Sequence, residues 1–408
     1  VSENKKAINW SLVFKGLLLQ IVLALLLLKV SYVETVFSFI SQKFVLLISF
    51  AEEGTKFLFR SSETGEIETA MKNFVTEILP TIIFFSALTS LLFYWGILQR
   101  IVYVFAWVMR RIMSLSGAES LAAAGNIFIG QTSSPLLVKP YLITMTRSEI
   151  MCLMSGGMAT IAGGVLAAYI GFLGGDDPEQ QAFFAKHLLA ASVMSAPAAI
   201  ISAKILVPET EEFDEKMEVN REKIGTNMLE AITTGTSQGL RLAVNVGAML
   251  LVFIAMIALA NYLIKDVIGD FSGLNPLIAE NTNYDGLTLQ FIIGYAFSPI
   301  AWLMGVDSRD MVLVGQLLGE KTILNEFYAY TTLGEFKSQG AFAEQKSVLM
   351  ATYILCGFAN FASIGIQIGG IGALVPSRKS LLSQLGMKSL IAGTLACLFT
   401  AVIVGVIM

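Results

Sequence analysis

The sequence predicts an all-α polytopic membrane protein, on the basis of its composition and of its long uncharged segments. Of 408 residues, 55% are hydrophobic and 14% are charged, whereas soluble domains have about 25% charged residues. A membrane-spanning helix needs about 20 apolar residues. A large soluble core would not require so many long segments without charge. Six segments contain no Asp, Glu, Lys or Arg, namely Ile78–Leu98, Ile150–Gly175, Leu242–Ile264, Leu287–Val306, Ser347–Ser377 and Ser389–Met408.

The composition also excludes several classes of function. The net charge of −4 argues against a nucleic-acid partner. The single histidine, His187, cannot build a metal cluster. Cys152, Cys356 and Cys397 lie in apolar segments and are odd in number, so we interpret them as small hydrophobic residues without disulfides. The sequence contains no ATPase motif and no removable signal peptide. We therefore expect no bound cofactor and no primary active transport by this chain alone.

Residues 1–115 are predicted to form N-terminal scaffold helices. Trp10–Val33 is hydrophobic, Tyr32–Gly65 mixes apolar and charged residues as at a membrane interface, and Ile78–Leu98 is long enough to span the membrane. Gln99–Ser114 places three arginines among apolar and aromatic residues, a pattern typical of an amphipathic helix in the headgroup plane, with a short loop as the alternative. The basic residues of this segment are Arg100, Arg110 and Arg111.

Residues 116–206 are predicted to contain a hairpin, a broken helix and a spanning helix. Leu121–Val138 is uncharged, but its centre is a glycine followed by four polar residues and a proline. That pattern is a turn signal, so we expect a helical hairpin that turns back within the membrane, where a protein cavity surrounds the irregular backbone. Ile150–Gly175 carries seven glycines, which favours close packing or an unwound helix. Leu188–Ala203 follows as a span.

The same order of elements recurs in the second half of the chain. Residues 207–307 are predicted to form a polar loop, Pro208–Lys223, and further scaffold helices. Within residues 308–408, Met311–Gly334 has a polar centre, Ser347–Ser377 is a long segment interrupted by glycines, and Ser389–Met408 is an uncharged final span. Repeated, glycine-interrupted segments at corresponding positions are typical of a transporter with its binding site near the midplane.

Glu326 is the most informative single residue, because no other charge lies within the segment Ile323–Tyr330. A carboxylate in the membrane interior is costly and requires a partner or a ligand. Its two oxygens accept hydrogen bonds strongly and can receive both hydroxyls of a ribose diol. The alternative is a structural Glu326 that is paired with Lys321 or with another cation.

Two further sets of polar residues are candidates for a binding site. Asn360 and Ser363 are three residues apart and are expected on one helical face, where they could bind a solute or join two helices. Gln131 at the first hairpin can donate to and accept from a base edge. Asn126 and Thr160 offer oxygen ligands beside irregular backbone, a donor set that suits a hard cation.

Six stretches of the sequence resemble the concentrative nucleoside transporter family, and in order they cover the chain from about residue 74 to its end. The resemblance implies a homotrimer in the cytoplasmic (inner) membrane, with a mobile transport region made of two inverted repeats. It implies a nucleoside substrate and sodium as the coupling ion. The six stretches are 126–141 (NIFIGQTSSPLLVKPY), 160–169 (TIAGGVLAAY), 191–197 (ASVMSAP), 208–211 (PETE), 325–330 (NEFYAY) and 356–360 (CGFAN).

The resemblance also assigns roles to individual residues. Those that face the nucleobase are Gln131, Thr132 and Val165; those that hold the ribose are Glu326, Asn360 and Ser363, with Phe358 nearby; those that hold sodium, partly through backbone carbonyls, are Asn126, Ile129, Thr160 and Ile161.

Two departures from the family pattern affect these expectations. Ser133 stands where the family usually has a glutamate, so the base selectivity and the charge near the cation are open. The first membrane helix usual in bacterial members has no counterpart before Lys5. A modified nucleoside or a nucleobase therefore remains an alternative substrate, and a proton an alternative coupling ion. A channel and an intramembrane enzyme are rival functions, but the sequence shows neither lined rings of polar groups nor a catalytic pair.

Overall fold

The computed structural model describes residues 2–62, 64–65, 67–175, 177–214, 217 and 225–408, and these residues form helices joined by short turns without any strand. The all-α prediction is therefore confirmed. Within the described ranges, seven helical segments are long and apolar enough to cross a membrane. The α-helices are α1 (Trp10–Lys29), α2 (Ser31–Phe59), α3 (Phe74–Glu77), α4 (Leu79–Tyr94), α5 (Ile97–Met113), α6 (Gly117–Leu137), α7 (Arg147–Ala159), α8 (Gly163–Gly174), α9 (Pro178–Leu206), α10 (Met228–Asn261), α11 (Asp270–Ser272), α12 (Leu274–Asn281), α13 (Leu289–Leu303), α14 (Met311–Ile323), α15 (Glu326–Ser338), α16 (Gln345–Leu355), α17 (Phe361–Leu374) and α18 (Lys379–Ile407).

The N-terminal helices differ from the sequence prediction in one respect. The segment expected at an interface forms the 29-residue helix α2, which is long and apolar enough to span a membrane. Three of its charged residues, Lys43, Glu52 and Glu53, lie on exposed positions, and the backbone stays helical through them. The amphipathic helix is confirmed as α5, in which every third or fourth side chain is buried. The side chains of Arg100 and Arg111 are exposed on its other face.

The helices sort into a buried centre and an exposed periphery. The broken helix α7–α8 and the long helix α9 are mostly buried, whereas most of α2 and of α10 is exposed and apolar. Two glycines of α10 allow it to pack closely on α4, since a Cβ atom at Gly235 would lie 2.8 Å from the Ala87 backbone. An exposed apolar surface on long helices is what a lipid bilayer accommodates.

The predicted order of hairpin, broken helix and long helix occurs twice. It comprises α6, then α7 with α8, then α9, and again α14 with α15, then α16 with α17, then α18. Both long helices begin earlier than predicted, α9 at Pro178 and α18 at Lys379. Their first turns contain charged and polar residues, so these helices extend beyond their apolar part. The inverted relation of the repeats and the boundaries at residues 116–206, 207–307 and 308–408 stay predictions.

The predicted polar loop lies only partly within the described residues. Glu211 and Glu212 are exposed, in agreement with a solvated segment. Residues 215, 216 and 218–223 of the same loop lie outside the described residues.

Candidate functional site

The first hairpin turns at Gly130, whose backbone angles are φ +73° and ψ 178°. These angles are essentially restricted to glycine, and a Cβ atom there would lie 2.6 Å from the Ala162 Cβ. The Ser134 hydroxyl donates a hydrogen bond to the Asn126 Oδ1 across the turn. In an unbroken helix two residues eight positions apart would be separated by about 12 Å. The chain therefore reverses at Gly130, as the turn signal predicted.

Asn126 joins this hairpin to the break between α7 and α8. Its side-chain Nδ2 donates to the Leu153 carbonyl at 3.2 Å, and its own carbonyl accepts from the Thr160 hydroxyl at 2.9 Å. The same hydroxyl lies 2.9 Å from the Gly156 carbonyl. A side chain at Gly156 would collide with the Asn126 amide, because a Cβ atom would lie 2.7 Å from its Nδ2. The glycines of α7 thus allow the first hairpin to pack closely on this helix.

The residues around Asn126 fit a small hard cation. The Asn126 and Thr160 side chains are fully buried; the Asn126 Oδ1 accepts from the Ser134 hydroxyl, and the Thr160 hydroxyl contacts the backbone carbonyls of Asn126 and Gly156. All these candidate ligand atoms are uncharged oxygens, and such ligands suit sodium better than a transition metal. Ile129 and Ile161, predicted to contribute carbonyls, are buried on the two segments that meet at this point.

The second hairpin turns between α14 and α15, and it places Glu326 at the first position of α15. Asn325 caps this helix, since its side chain accepts from the Tyr328 amide at 2.9 Å. A helix N-terminus stabilises a negative charge. Lys321 does not pair with Glu326 but donates to the Ile354 carbonyl at 2.8 Å. Lys321 thus lies near Glu326 without forming an ion pair with it, and the ligand-binding role of Glu326 stays a prediction.

Asn360 connects Glu326 to the second broken helix. Its Nδ2 donates to the Glu326 Oε2 at 2.7 Å, and its Oδ1 accepts from the Ser363 amide at 2.8 Å. Asn360 is thus the N-cap of α17, whereas the sequence analysis placed it within a helix beside Ser363. Both side chains remain on the same side of the break, because the cap holds them together.

The two halves of the chain meet in a hydrogen-bonded series of side chains that includes one backbone amide, that of Ser363. Gln131 donates from Nε2 to the Ser363 hydroxyl at 3.2 Å. Gln367 donates to the Gln131 Oε1 at 3.1 Å and to the Met154 carbonyl at 2.9 Å. Since the Met154 carbonyl can only accept, it fixes the orientation of both amides. The series runs from Gln131 through Ser363 and Asn360 to Glu326, and it brings together residues that the sequence predicted for base and ribose.

Apolar and aromatic residues surround this series. Val165 and Phe358 are buried in one hydrophobic cluster with Tyr169. The Tyr169 ring stacks on Tyr330 with 4.1 Å between ring centroids. Its hydroxyl lies beside the Glu326 carboxyl group, but it makes no regular hydrogen bond with any described residue. Aromatic faces and unsatisfied polar atoms are features of a site for a small polar ligand.

Two predicted residues lie apart from the series. Thr132 is exposed and Ser133 is half-buried, immediately after the buried Gln131 at the hairpin turn. The structure adds Ser134, Gln367 and Tyr169, to which the sequence assigned no role in the site. Ser134 mirrors Asn126 about Gly130 and could have been found from that symmetry. Gln367 follows Ser363 by one helical turn, so the two share a face.

Three family profiles match the chain in order. A profile described as the N-terminus of the Na⁺-dependent nucleoside transporters matches residues 1–62, and one described as nucleoside recognition matches residues 75–176. The profile of the Na⁺-dependent nucleoside transporter C-terminus matches residues 187–405. The chain belongs to the Na⁺-dependent nucleoside transporter family. It is therefore a multi-pass membrane protein, and the resemblance seen in the sequence is confirmed.

Individual relatives of this transporter family agree over the whole chain. An uncharacterized transporter of Haemophilus influenzae is 39% identical over 99% of this chain and 93% of its own length. The sodium/nucleoside cotransporter 1 of Rattus norvegicus is 37% identical over the full chain but over 61% of its own length. The chain spans 56% of a second rat relative, solute carrier family 28 member 3.

Two solved structures also agree with the fold of this chain. The structure of CNTnw in an inward-facing, substrate-bound state has a TM-score of 0.88 and 36% identity, and the match covers 99% of this chain and 94% of CNTnw. A CNTnw variant in an outward-facing state matches with a TM-score of 0.86 and 35% identity over 99% of this chain and 92% of that chain.

Proposed function

We propose that this member of the nucleoside transporter family is a secondary symporter that moves nucleosides into the cell with a sodium gradient and carries out no covalent chemistry. The observation that supports this most directly is the buried series from Gln131 to Glu326. It supplies an amide for a base and a carboxylate for a ribose diol within one connected site.

In this proposal Glu326 accepts hydrogen bonds from the two ribose hydroxyls, and Asn360 and Ser363 hold the remaining polar atoms of the sugar. Gln131 offers its amide to the base, the buried Val165 and the exposed Thr132 next to Gln131 contact the base, and Phe358 covers the ribose. Sodium is held by Asn126 and Thr160 together with the backbone carbonyls of Ile129 and Ile161. The sodium gradient across the membrane drives the uptake of the nucleoside.

The arrangement of α7 supports coupling between the two sites. Gly156 lies against Asn126 of the proposed cation site, and Gly157 lies against Gln131 and Gln367 of the substrate site, where a Cβ atom would come within 2.8 Å. Adjacent residues of one helix thus contact both sites. Filling one site orders the backbone on which the other depends, and this coupling is reciprocal.

The proposed function is tested by radiolabelled nucleoside uptake into proteoliposomes, with and without an inward sodium gradient. We expect accumulation that depends on the gradient, and accelerated exchange when unlabelled nucleoside is present inside. A channel would show no counterflow. Uptake that follows an imposed proton gradient and ignores sodium would instead support the proton as coupling ion. Uptake of free bases in place of nucleosides would support the alternative substrate.

Ser133 is expected to influence which bases are preferred. Serine is neutral and is able both to donate and to accept, whereas a carboxylate demands donors from the base. We expect Ser133→Glu to change the ranking of bases by about 1–2 kcal/mol, or roughly ten-fold, while the ribose requirement persists. Competition by unlabelled nucleosides against one labelled substrate measures the ranking. An unchanged ranking would show that this side chain does not face the base.

We further propose a homotrimer, as the family resemblance implies. The exposed apolar faces of α2 and α10 leave surface for both lipid and neighbouring subunits. The mass of the detergent-solubilised protein after correction for bound detergent tests this proposal. A monomer at all concentrations would contradict it.

A further inference from the structure

Glu320 of α14 is a second buried carboxyl group, and it lies outside the proposed substrate and sodium sites. Only 1% of the residue is exposed. Its Oε1 accepts a hydrogen bond from the Gln316 Nε2 at 2.7 Å, and the Thr332 hydroxyl lies close by. Its Oε2 is buried and has no hydrogen-bond partner among the described residues. The second hairpin therefore carries a carboxyl oxygen that is available to bind a further group.

The hydrogen bonds around Glu320 have a fixed direction. The Tyr284 hydroxyl donates to the Gln316 Oε1 at 2.8 Å. The Gln316 amide oxygen is thereby occupied, so its nitrogen is the group that faces Glu320. Tyr284 belongs to the segment before α13, and thus the contact links the hairpin to a neighbouring helix region.

Among the residues that the structure describes, no lysine or arginine forms an ion pair with Glu320. The titratable groups nearest to it are Tyr284 from the segment before α13 and Tyr328 from α15, whereas Glu335 of α15 is exposed and acts on it only through space. The nearest lysine in the sequence, Lys321, points away and donates to the Ile354 carbonyl. This arrangement differs from that of the buried Glu119, which forms an ion pair with Lys204.

The neighbouring helix α13 packs on the residue that precedes Glu320. Its Ile293 and Phe297 lie directly against Gly319 and close this side of the hairpin to water. A buried carboxylate without a cationic partner is costly, and the neutral acid is favoured. Gln316 can hydrogen-bond to either form of the acid, because it donates to Oε1 and leaves Oε2 free to carry a proton.

We propose that Glu320 is a proton-binding site, and that it binds and releases one proton during each transport cycle. The proton adds to the carboxylate Oε2 from water on one side of the membrane. It returns to water when the contact between the hairpin and α13 opens on the other side. This inference rests on the proposed function, and it adds a proton to the sodium ion of the proposed symport.

The test measures proton movement separately from nucleoside uptake. Purified protein is reconstituted into proteoliposomes that contain a pH-sensitive dye, under a sodium gradient and with uridine or adenosine as the probe. We expect nucleoside addition to acidify the lumen for the parent chain. In Glu320→Gln, a neutral isostere of the protonated acid, the proton signal should vanish while sodium-driven uptake persists. The matched control is Glu335→Gln, which removes an exposed carboxyl group from the same hairpin. This variant should keep the proton signal.

The pH dependence provides a second readout. Because the neutral acid loses its proton as the pH rises, uptake by the parent should fall at alkaline pH by about ten-fold per unit above the titration range. Glu320→Gln should remove this decline. Should this variant fail to fold, Tyr284→Phe is measured instead; it releases the Gln316 amide and should shift the pH at which uptake falls.

Equal proton signals in the parent and in Glu320→Gln would overturn the proposal, and so would nucleoside uptake by the parent without any proton movement. Both results would leave the proposed symport with sodium intact. Absence of nucleoside uptake by the parent would instead contradict the proposed function, so the two failures are distinguishable.

Discussion

Glu326→Gln is expected to abolish or severely weaken nucleoside uptake while the protein stays folded. The substitution keeps the shape and the length of the side chain. Its position next to the Asn360 Nδ2, which lies 2.7 Å from the Glu326 Oε2 in the parent chain, is therefore retained. It removes the negative charge, and with it charge-assisted hydrogen bonds to two ribose hydroxyls that contribute about 1.5–3 kcal/mol each. The apparent affinity for the nucleoside in proteoliposome uptake measures the effect.

Glu335→Gln is the matched control, since it removes an exposed carboxyl group from the same helix. A 2′,3′-dideoxynucleoside should be a poor substrate for the parent chain. It should lose little more in Glu326→Gln, because both changes remove the same interaction. An unchanged affinity for the normal nucleoside in Glu326→Gln would refute the assignment of this residue to the ribose.

Asn126→Ala and Thr160→Ala are each expected to raise the sodium concentration required for half-maximal uptake, by about ten-fold for a lost ligand worth 1–2 kcal/mol. Each removes a buried oxygen from the cluster at the first hairpin. Because coupling free energy is reciprocal, both variants should also weaken the improvement in nucleoside affinity that sodium produces. Uptake over a series of sodium concentrations, with choline as replacement, gives the values.

Thr160→Ser is the control for this series, since it keeps the hydroxyl that lies 2.9 Å from the Asn126 carbonyl. It should restore most of the sodium affinity lost in Thr160→Ala. Melting temperatures of all variants separate a lost ligand from a loosened hairpin. If uptake follows a proton gradient and is insensitive to sodium, the cation assignment is wrong and Asn126 is a structural residue.

Local sequence patterns were sufficient for the elements that carry the candidate site. The turn at Gly130 follows from a glycine that precedes polar residues and a proline within an uncharged segment. Similarly, the breaks after Ala159 and Leu355 follow from glycine-interrupted segments. Such signals are local, because backbone geometry depends on the residue itself and its neighbours. The length of α2 was not predicted, since charges spread along an exposed helix face resemble those of an interfacial segment.

The hydrogen bonds between these elements could not be predicted from the sequence. Gln131 and Ser363 are 232 positions apart, and Gln131 and Gln367 are 236 apart. Nothing in either stretch indicates its partner, since an amide or a hydroxyl can bond to many groups. Likewise, the sequence could not show that the Lys321 Nζ donates to the Ile354 carbonyl instead of pairing with Glu326.

The sequence by itself thus determined the fold class, the order of the helices, the family and the residue types of the candidate site. These follow from hydropathy, turn residues and the order of the motifs, all of which are local properties of the sequence. The tertiary structure decided which polar groups meet, which are left unpaired and which glycines admit close approach. Those outcomes depend on packing between segments distant in sequence, and packing selects among many chemically equivalent partners.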